Sequence, residues 1–338
     1  MKPKLLAVEL WGIGDLVVST PFLRAAADKY ELTLLAKSTV QELQPRLWPG
    51  VEVIPFNIPW TAFRGKYNLA RWPWRGLASL KRQLRSRHFD IAVSARWDPR
   101  DHVLLWLAGA PRRIGFPRLG SGAFLTESLR PPDASLHRYE NWRLLGRSLG
   151  IDLPAKEQLT TARRNSDTIL IHTGAAQPTR VWPLERFQFL AAQLRQNHYN
   201  VQVACNPDQR AWWAERAENA AVPASLSELM ALIDNAGLFI GNDSGPGHLA
   251  AILGVPTFTI FGNGLPSLFA PLHPQAEWME GSACPYKPCY DSCRFAAPNC
   301  ILSTEAAEAW AKIKLFAEKH LAKNSVLGFD MQRGKGAE

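Results

Sequence analysis

The sequence predicts an α/β protein made of two successive doubly wound halves, each built on a parallel sheet. Short apolar runs alternate with stretches of helical periodicity from the first residues onward, which is typical of a parallel sheet with crossover helices. The alternation starts again at residue 168, after a polar segment with a proline at 152–167. The length of 338 residues also fits about two domains.

In the first half, four short apolar runs are interpreted as buried strands, at residues 4–10, 31–36, 51–56 and 90–95. The stretches that follow them have the periodicity of helices. These predicted helices span 15–28, 38–46, 75–88, 99–108 and 136–149.

In the second half, the predicted strands are 168–172, 200–204, 237–241 and 256–261. Pro183 opens the first helix of this half, at a position where its missing N–H costs nothing. The predicted helices span 183–197, 208–219, 225–235, 245–253 and 304–322. We therefore expect an N-terminal domain at 1–158, a C-terminal domain at 159–322 and a loose polar tail at 323–338. Ligands of open α/β sheets bind beyond the carboxyl ends of the strands, so candidate site residues are sought there.

The net charge of +9 is concentrated in one stretch of the first half, because no acidic residue lies between Glu52 and Asp90. That stretch contains eight basic residues: Arg64, Lys66, Arg71, Arg75, Lys81, Arg82, Arg85 and Arg87. The rest of the chain is nearly neutral, which disfavours a protein coated with positive charge for binding nucleic acid.

The same stretch carries Trp60 and two further tryptophans, and three interpretations are open from the residues alone. Its side chains form a solvated loop and helix face, or stack on single-stranded nucleic acid, or lie against an anionic membrane surface. We define the basic patch as Arg64, Lys66, Arg71, Trp72, Trp74 and Arg75.

No apolar run approaches the roughly 20 residues needed to cross a membrane. Near the N-terminus, Glu9 and Asp15 interrupt the apolar stretch that follows Lys2 and Lys4, a pattern typical of a strand and turn rather than a signal peptide. Five cysteines in 338 residues do not indicate a disulfide framework. We therefore expect the protein in the cytoplasm.

The first candidate site is the turn WGIGD at 11–15, between the first strand and the first helix. Its glycines permit close approach of a ligand, and a helix N-terminus attracts anions. A dinucleotide fingerprint is disfavoured, because Val17 replaces the third glycine and Lys37 stands where an acidic ribose ligand is expected. Asp15 is interpreted either as a carboxylate that caps the helix or as a base that takes a proton from a hydroxyl in a cleft.

Two loops of the second half also lie at strand ends. The first contains Thr173 and Gly174, with Arg180 just before the next helix, and this combination of backbone donors and a guanidinium suits a phosphate. The alternative for Arg180 is a solvated side chain on a plain loop.

The second loop, GNDSGPGH at 241–248, is a glycine-rich turn that opens a helix and suits a diphosphate. His248 is the fourth residue after Ser244 and would lie one helical turn along the same face. It is interpreted either as a packing residue or as a contact to the ligand.

These blocks resemble glycosyltransferase family nine, the ADP-heptose:lipopolysaccharide heptosyltransferases. Three blocks occur in the family's order: AVELWGIGDLVVSTPFLRA, IHTGAAQPTRVWPLERFQFLAAQL and GNDSGPGHLAAILGVPTFTIFG. A weaker fourth match is PRRIGFPRLGSGAFLT, followed by His137 and a helix. The resemblance extends over most of residues 4–320.

The resemblance implies a GT-B fold, in which two Rossmann-like domains face each other across a cleft. The N-terminal domain would take the acceptor, the C-terminal domain an ADP-sugar, and Asp15 would be the general base of an inverting transfer. The donor would be bound by Gly14, Thr173, Gly174, Arg180, Asp243, Ser244, Gly245 and His248. Arg180 stands where many members have lysine, and Ser244 keeps the hydroxyl of the more usual threonine. Trp11 and Gly12 replace small hydroxyl residues of better-known members, which leaves the donor sugar open.

The chain contains no Asp-x-Asp pair, so the usual carboxylate clamp for a metal–diphosphate is absent. We expect transfer without a metal or cofactor, with the charge of the leaving group offset by Arg180 and helix N-termini. Four cysteines nevertheless cluster with the spacing C-x4-C-x3-C-x6-C, which only loosely resembles a structural zinc site. Free thiols, a disulfide and a metal site are open for this group: Cys284, Cys289, Cys293 and Cys300.

The sequence thus predicts an inverting glycosyltransferase that moves a sugar, by resemblance a heptose, from an ADP-sugar to a lipopolysaccharide-type or related acceptor. The basic patch is then expected to meet a lipid-linked, phosphorylated acceptor at the anionic inner membrane, and no nucleic acid. One alternative is a nucleotide-sugar epimerase or hydrolase with the same cleft, which would act without an acceptor. The other is a basic nucleic-acid-binding protein, which the two phosphate-type loops disfavour because they suit one small anion.

Overall fold

The structure, a computed structural model, describes residues 1–61, 68, 70, 72–159, 166–289 and 292–321. Within these residues the chain forms two parallel β-sheets flanked by helices, one in each half. The predicted α/β class with two sheets is therefore confirmed. The junction proposed between residues 158 and 159 stays a prediction, since 160–165 lie outside the described residues.

The strands of the first sheet are β1 (Lys4–Glu9), β2 (Glu31–Ala36), β3 (Glu52–Pro55), β4 (Ile91–Val93), β5 (Arg112–Gly115) and β6 (Glu127–Ser128). They pair in the order β3-β2-β1-β4-β5-β6. Strand β1 lies between β2 and β4 and is buried from Leu5 to Glu9, which explains its continuous apolar run. The helices are α1 (Ile13–Val18), α2 (Thr20–Lys29), α3 (Val40–Leu47), α4 (Trp74–Ser86), α5 (Pro99–Ala108) and α6 (Tyr139–Ser148).

The strands of the second sheet are β7 (Thr168–His172), β8 (Asn200–Ala204), β9 (Leu238–Asn242), β10 (Thr257–Phe261) and β11 (Glu277–Glu280). Their order is β11-β10-β9-β7-β8. The helices are α7 (Leu184–Gln196), α8 (Arg210–Ala214), α9 (Leu226–Asp234), α10 (Gly245–Ile252), α11 (Pro266–Phe269), α12 (Asn299–Leu302) and α13 (Ala306–His320). None of the helices in the described part of the chain is long and apolar enough to cross a bilayer.

The helix predicted at 15–28 is instead two helices, α1 and α2. The buried hydroxyl of Ser19 donates to the carbonyl of Leu16 at 2.6 Å where α1 ends. Pro21 then lies in the first turn of α2, where it is tolerated, whereas inside one continuous helix it would remove a backbone hydrogen bond.

The two halves share apolar packing. One continuous apolar cluster includes Leu16 and Val17 of α1 together with Leu249 and Ala250 of α10. The helices that follow β1 and β9 therefore bring the carboxyl ends of these two strands, one from each sheet, close together. Candidate site residues of both halves lie at this junction.

Candidate active site

The first candidate residue, Asp15, lies just beyond the end of β1. The chain turns at Gly12, which is the N-cap residue of α1, so Asp15 occupies the first turn of the helix. It is not the N-cap, and the capping interpretation is therefore wrong, although a carboxylate in this turn is favoured by the helix dipole. The Asp15 carboxylate instead pairs with Arg96, with 3.0 Å between Oδ2 and Nη2, and its side chain is 28% exposed.

Two charged residues beside Asp15 were missed from the sequence. Arg96 comes shortly after β4, the neighbour of β1, and its Nε lies 3.6 Å from Oε1 of Glu9. Glu9 is buried, and this burial raises its pKa to about 7, against the opposing effect of the Arg96 charge. The available signals were a single acid inside an apolar strand and an arginine after the adjacent strand.

In the second half, Thr173 follows β7 and is completely buried. Its hydroxyl donates to Oε1 of Gln209 at 2.9 Å and accepts from Nε1 of Trp213 at 3.3 Å. The hydroxyl thus has internal partners, and the phosphate contact of Thr173 stays a prediction. Gly174 packs against Asn206, which leaves no room for a Cβ atom.

Arg180 and Asp243 form a charged pair between the two strand-end loops of the second half, which span 173–180 and 241–248. These two loops are called the donor-side loops below, after the predicted ligand. Arg180 Nη1 lies 3.3 Å from Asp243 Oδ2, and the two side chains are 28% and 4% exposed. Burial raises the pKa of Asp243 to about 6, although the Arg180 charge opposes the rise. Arg180 is thus held at the end of β9 by a buried partner rather than lying free on a loop.

Asn242 fixes the two donor-side loops to each other and was also missed. Its Nδ2 donates to the Thr173 carbonyl at 2.8 Å, and its Oδ1 accepts from the Trp182 backbone N–H at 2.9 Å. A polar residue at the last position of a buried strand was the signal for this role.

Helices α1 and α10 meet at their first turns. A Cβ atom on Gly14 would lie 2.8 Å from Cδ2 of His248, and one on Gly245 would lie 3.1 Å from Cβ of Ile13. Glycine at both positions therefore permits this close approach. Ser244 is the N-cap residue of α10, but its hydroxyl donates to the Asn242 carbonyl at 3.2 Å instead of capping the helix.

His248 is 8% exposed, and burial lowers its pKa to about 4, while the Asp15 charge opposes the change. Its ring is therefore neutral at neutral pH. Nδ1 is buried with no hydrogen-bond partner among the described residues. The junction thus places a carboxylate from the first half beside a neutral imidazole, with the Arg180–Asp243 pair at the end of β9.

The basic patch is described only in part, because Arg64, Lys66 and Arg71 lie outside the described residues. Trp72 packs between Trp60 and Trp74 in tilted arrangements, with its ring centroid 5.5 Å from that of Trp60 and 5.4 Å from that of Trp74. Trp74 is 55% exposed.

Helix α4 continues this surface. Leu80 and Leu84 are buried on one face, while Arg75, Lys81 and Arg82 are exposed. The helix therefore presents positive charge next to the tryptophans.

The four clustered cysteines line one cavity of about 320 Å³. All of them are free thiols, so the disulfide interpretation is wrong in this structure. Within the described part of the chain, no group of three or more His, Cys, Asp or Glu side chains is arranged to hold a metal ion.

Comparison with known proteins identifies a family. The family model described as glycosyltransferase family 9 (heptosyltransferase) matches residues 77–296. Lipopolysaccharide heptosyltransferase 1 of Pseudomonas aeruginosa is 25% identical over 317 residues, which cover 85% of this chain and 86% of that protein. The lipopolysaccharide core heptosyltransferase OpsX of Haemophilus influenzae is 23% identical over 300 residues, covering 80% and 82%.

The fold is similar to that of Escherichia coli heptosyltransferase WaaC solved with ADP. The TM-score is 0.73 at 16% sequence identity, and the match covers 93% of this chain and 99% of WaaC. The same E. coli enzyme has also been solved with ADP-2-deoxy-2-fluoro heptose. This likeness confirms the predicted architecture of two facing Rossmann-like units.

Proposed function

The chain belongs to glycosyltransferase family 9, and on that premise we propose that it transfers a heptose from ADP-heptose to an acceptor of the lipopolysaccharide core. The donor is suggested by WaaC, which binds ADP and an ADP-heptose analogue. The acceptor class is suggested by the relatives from H. influenzae and P. aeruginosa, both lipopolysaccharide heptosyltransferases.

The observation that carries the proposal is the meeting of Asp15 with the first turn of α10. The close approach of Gly14 to His248 brings a carboxylate of the acceptor half next to the glycine-rich loop of the donor half. A base for the acceptor hydroxyl must lie beside the anomeric carbon of the donor, within hydrogen-bond reach of the proton it removes. Asp15, in the first turn of α1, is the carboxylate that we propose for this base.

The transfer then proceeds in one inverting step. The Asp15 carboxylate accepts the proton of the acceptor hydroxyl, and that oxygen attacks the anomeric carbon from the face opposite the diphosphate. The bond between the anomeric carbon and the diphosphate oxygen breaks, and ADP leaves with the bonding electron pair. Arg180 and the backbone N–H groups at the start of α10 offset the negative charge on ADP.

We propose that the enzyme works at the inner face of the cytoplasmic membrane, where a lipid-linked acceptor is embedded. Support comes from the exposed indole of Trp74 and the exposed basic residues of α4, which lie in the acceptor half. Amphipathic basic helices with tryptophan bind anionic lipid surfaces. The basic patch would hold the protein near its acceptor.

The test is turnover of ADP-heptose with a purified lipopolysaccharide core acceptor, followed by ADP release and product mass. Asp15→Asn keeps the shape of the side chain and removes the base, so we expect turnover to fall by about 100-fold or more. Thermal stabilisation by ADP-heptose should persist in this variant. Asp28→Asn, an exposed change on α2, is the matched control.

Three results would contradict parts of this proposal. Near-normal turnover of Asp15→Asn with donor bound would remove Asp15 as the base. Turnover of the donor without an acceptor would favour a hydrolase, if ADP is released, or an epimerase, if an isomeric ADP-sugar forms. Stabilisation by UDP- or GDP-sugars but not by ADP-sugars would exclude ADP-heptose as the donor.

A further inference from the structure

We propose that Arg96 is a positioning residue that orients the Asp15 carboxylate toward the acceptor, and that the buried Glu9 carboxylate holds Arg96 in place. This inference rests on the proposed function, in which Asp15 is the general base. It assigns a role to Arg96, which lies outside the motif blocks, and to Glu9, which lies in the first block but is not among its candidate site residues.

The guanidinium of Arg96 contacts both carboxylates. Nη2 lies 3.0 Å from Oδ2 of Asp15, and Nε lies 3.6 Å from Oε1 of Glu9. The Glu9 contact is an ion pair without a hydrogen bond, because Nε has no hydrogen-bond partner among the described residues. A guanidinium is planar and rigid, so carboxylates beside two of its nitrogens still restrict its direction. Glu9 belongs to the central strand β1 and is 2% exposed, which gives the fork a fixed anchor.

The ring of Trp11 packs against the Arg96 guanidinium. The guanidinium carbon of Arg96 lies 4.7 Å from the centroid of the Trp11 ring, a distance typical of cation–π contact. The backbone N–H of Trp11 donates to Oε1 of Glu9 at 3.2 Å. The tryptophan that departs from the family's small hydroxyl residues at this position therefore packs on the residue that holds the base.

The backbone that carries Arg96 is also fixed by buried side chains. The Arg96 N–H donates to Oγ of Ser94 at 3.2 Å, and Ser94 in turn donates to Oδ2 of Asp101 at 3.2 Å. Nδ2 of Asn141 donates to the Ala95 carbonyl at 2.9 Å. The segment after β4 thus has little freedom to move the guanidinium away from Asp15.

The balance of charge also fits a positioning role. Burial of the Arg96 guanidinium opposes its charged form, yet Asp15 and Glu9 together hold the pKa of Arg96 above its usual value. Arg96 therefore remains a cation between the Asp15 carboxylate and the buried side chain of Glu9. A catalytic side chain held this way is preorganised, and displacing such a group by about 1 Å costs roughly 100-fold in rate.

The experiment compares Arg96→Gln, Arg96→Lys and Glu9→Gln with the wild type and with Asp15→Asn. We expect kcat of Arg96→Gln to fall by about 100-fold, while the KM for ADP-heptose changes by less than about twofold. Lysine lacks the fork, so Arg96→Lys should recover only part of the rate. In Glu9→Gln, kcat should fall by about tenfold. Free guanidinium at low millimolar concentration should raise kcat in Arg96→Ala and leave the wild type unchanged.

Arg112→Gln is the matched control, because Arg112 also pairs with a carboxylate, Glu127, but at the opposite end of the sheet. It should keep normal kcat, and its melting temperature should change less than that of Arg96→Gln, because Arg112 and Glu127 are 42% and 37% exposed. Wild-type kcat in Arg96→Gln, with Asp15→Asn inactive, would overturn the inference and leave the proposed function intact. An inactive wild type would instead contradict the proposed function. If Arg96→Gln does not fold, the positioning role is tested with Arg96→Lys and Glu9→Gln instead. Normal kcat in both variants would overturn the inference.

Discussion

Burial determines the charge of the groups around Asp15. It lowers the pKa of His248 to about 4 and raises that of Asp243 to about 6. His248 is consequently neutral at pH 7, so it can exchange a hydrogen bond with a donor sugar but cannot neutralise a diphosphate. Arg180, which pairs with Asp243 at the same junction, is the cation that we propose for that task.

The sequence predicted those site residues that lie in glycine-rich loops at strand ends, where pattern and topology agree. Asp15, Arg180 and Asp243 are examples, since all three lie at the junction of the halves. Arg96 and Glu9 escaped because their association depends on β1 and β4 being neighbours, although they are far apart in sequence. Tertiary pairing of this kind leaves no periodic signal.

Gly14→Ala tests the close approach of α1 to α10. The new Cβ would lie 2.8 Å from Cδ2 of His248, and the buried ring has little room to give way. The two helix ends must then separate, so we expect kcat to fall by about tenfold or more, because small displacements of a reacting group are costly. Steady-state kinetics with ADP-heptose measures the effect.

Gly50→Ala is the control for this prediction. A Cβ at Gly50 would have no atom within 4 Å, so that variant should behave as the wild type. Equal rates for Gly14→Ala and Gly50→Ala would show that the approach of the two helices does not matter for catalysis.

Among the strands, those with apolar runs were predicted closely, including the edge strands β3 and β8, whereas β5, β6 and β11 were missed. Strand β5 begins with two arginines, and β6 has only two residues. Strand β11 reads EWME and lies at the edge of the second sheet. These three strands are short or carry charged residues, so their sequences lack the apolar run by which the other strands are recognised.

Helix α5 carries a buried acid whose effect on stability depends on pH. Burial raises the pKa of Asp101 to about 8, so the folded state binds this proton more tightly than the unfolded chain. The free energy of unfolding should therefore fall as pH rises from about 4 to about 8, by a few kcal/mol at roughly 1.4 kcal/mol per pKa unit. Glu9, with its raised pKa, adds a change of the same sign.

Asp101→Asn should remove part of that dependence. The variant should match the wild type at pH 5 and exceed it at pH 9, as measured by urea unfolding at both values. Asp152→Asn, an exposed change, should follow the wild type at both. An Asp101→Asn variant that loses stability with pH as steeply as the wild type would contradict the assigned cause.

At the scale of the whole molecule, the restart of the strand pattern predicted two successive α/β halves, and the structure contains one parallel sheet in each half. The apolar cluster that includes residues of both halves could not be predicted, because local periodicity carries no information on contacts between distant segments. Links such as the ion pair of Arg46 with Asp234, between α3 and α9, are likewise long-range.

Membrane association is a property of the molecule's surface. Reversing Arg75, Lys81 and Arg82 to glutamate should weaken flotation with anionic liposomes by at least about tenfold, since each basic residue near lipid contributes about 1 kcal/mol. Reversing three exposed arginines elsewhere, Arg130, Arg147 and Arg210, changes net charge equally and should have a smaller effect. Tight binding of single-stranded nucleic acid without lipid binding would contradict the membrane proposal.

The contact between the first turns of α1 and α10, called the seam here, constrains which halves of related enzymes can be combined. Ile13 and Gly14 in one half are matched to Gly245 and His248 in the other, so a larger side chain on either side requires a compensating change across the seam. A chimaera that joins the first half of one relative to the second half of another inherits unmatched partners there. We therefore expect such a chimaera to need compensating substitutions at these four positions before it folds and turns over like its parents.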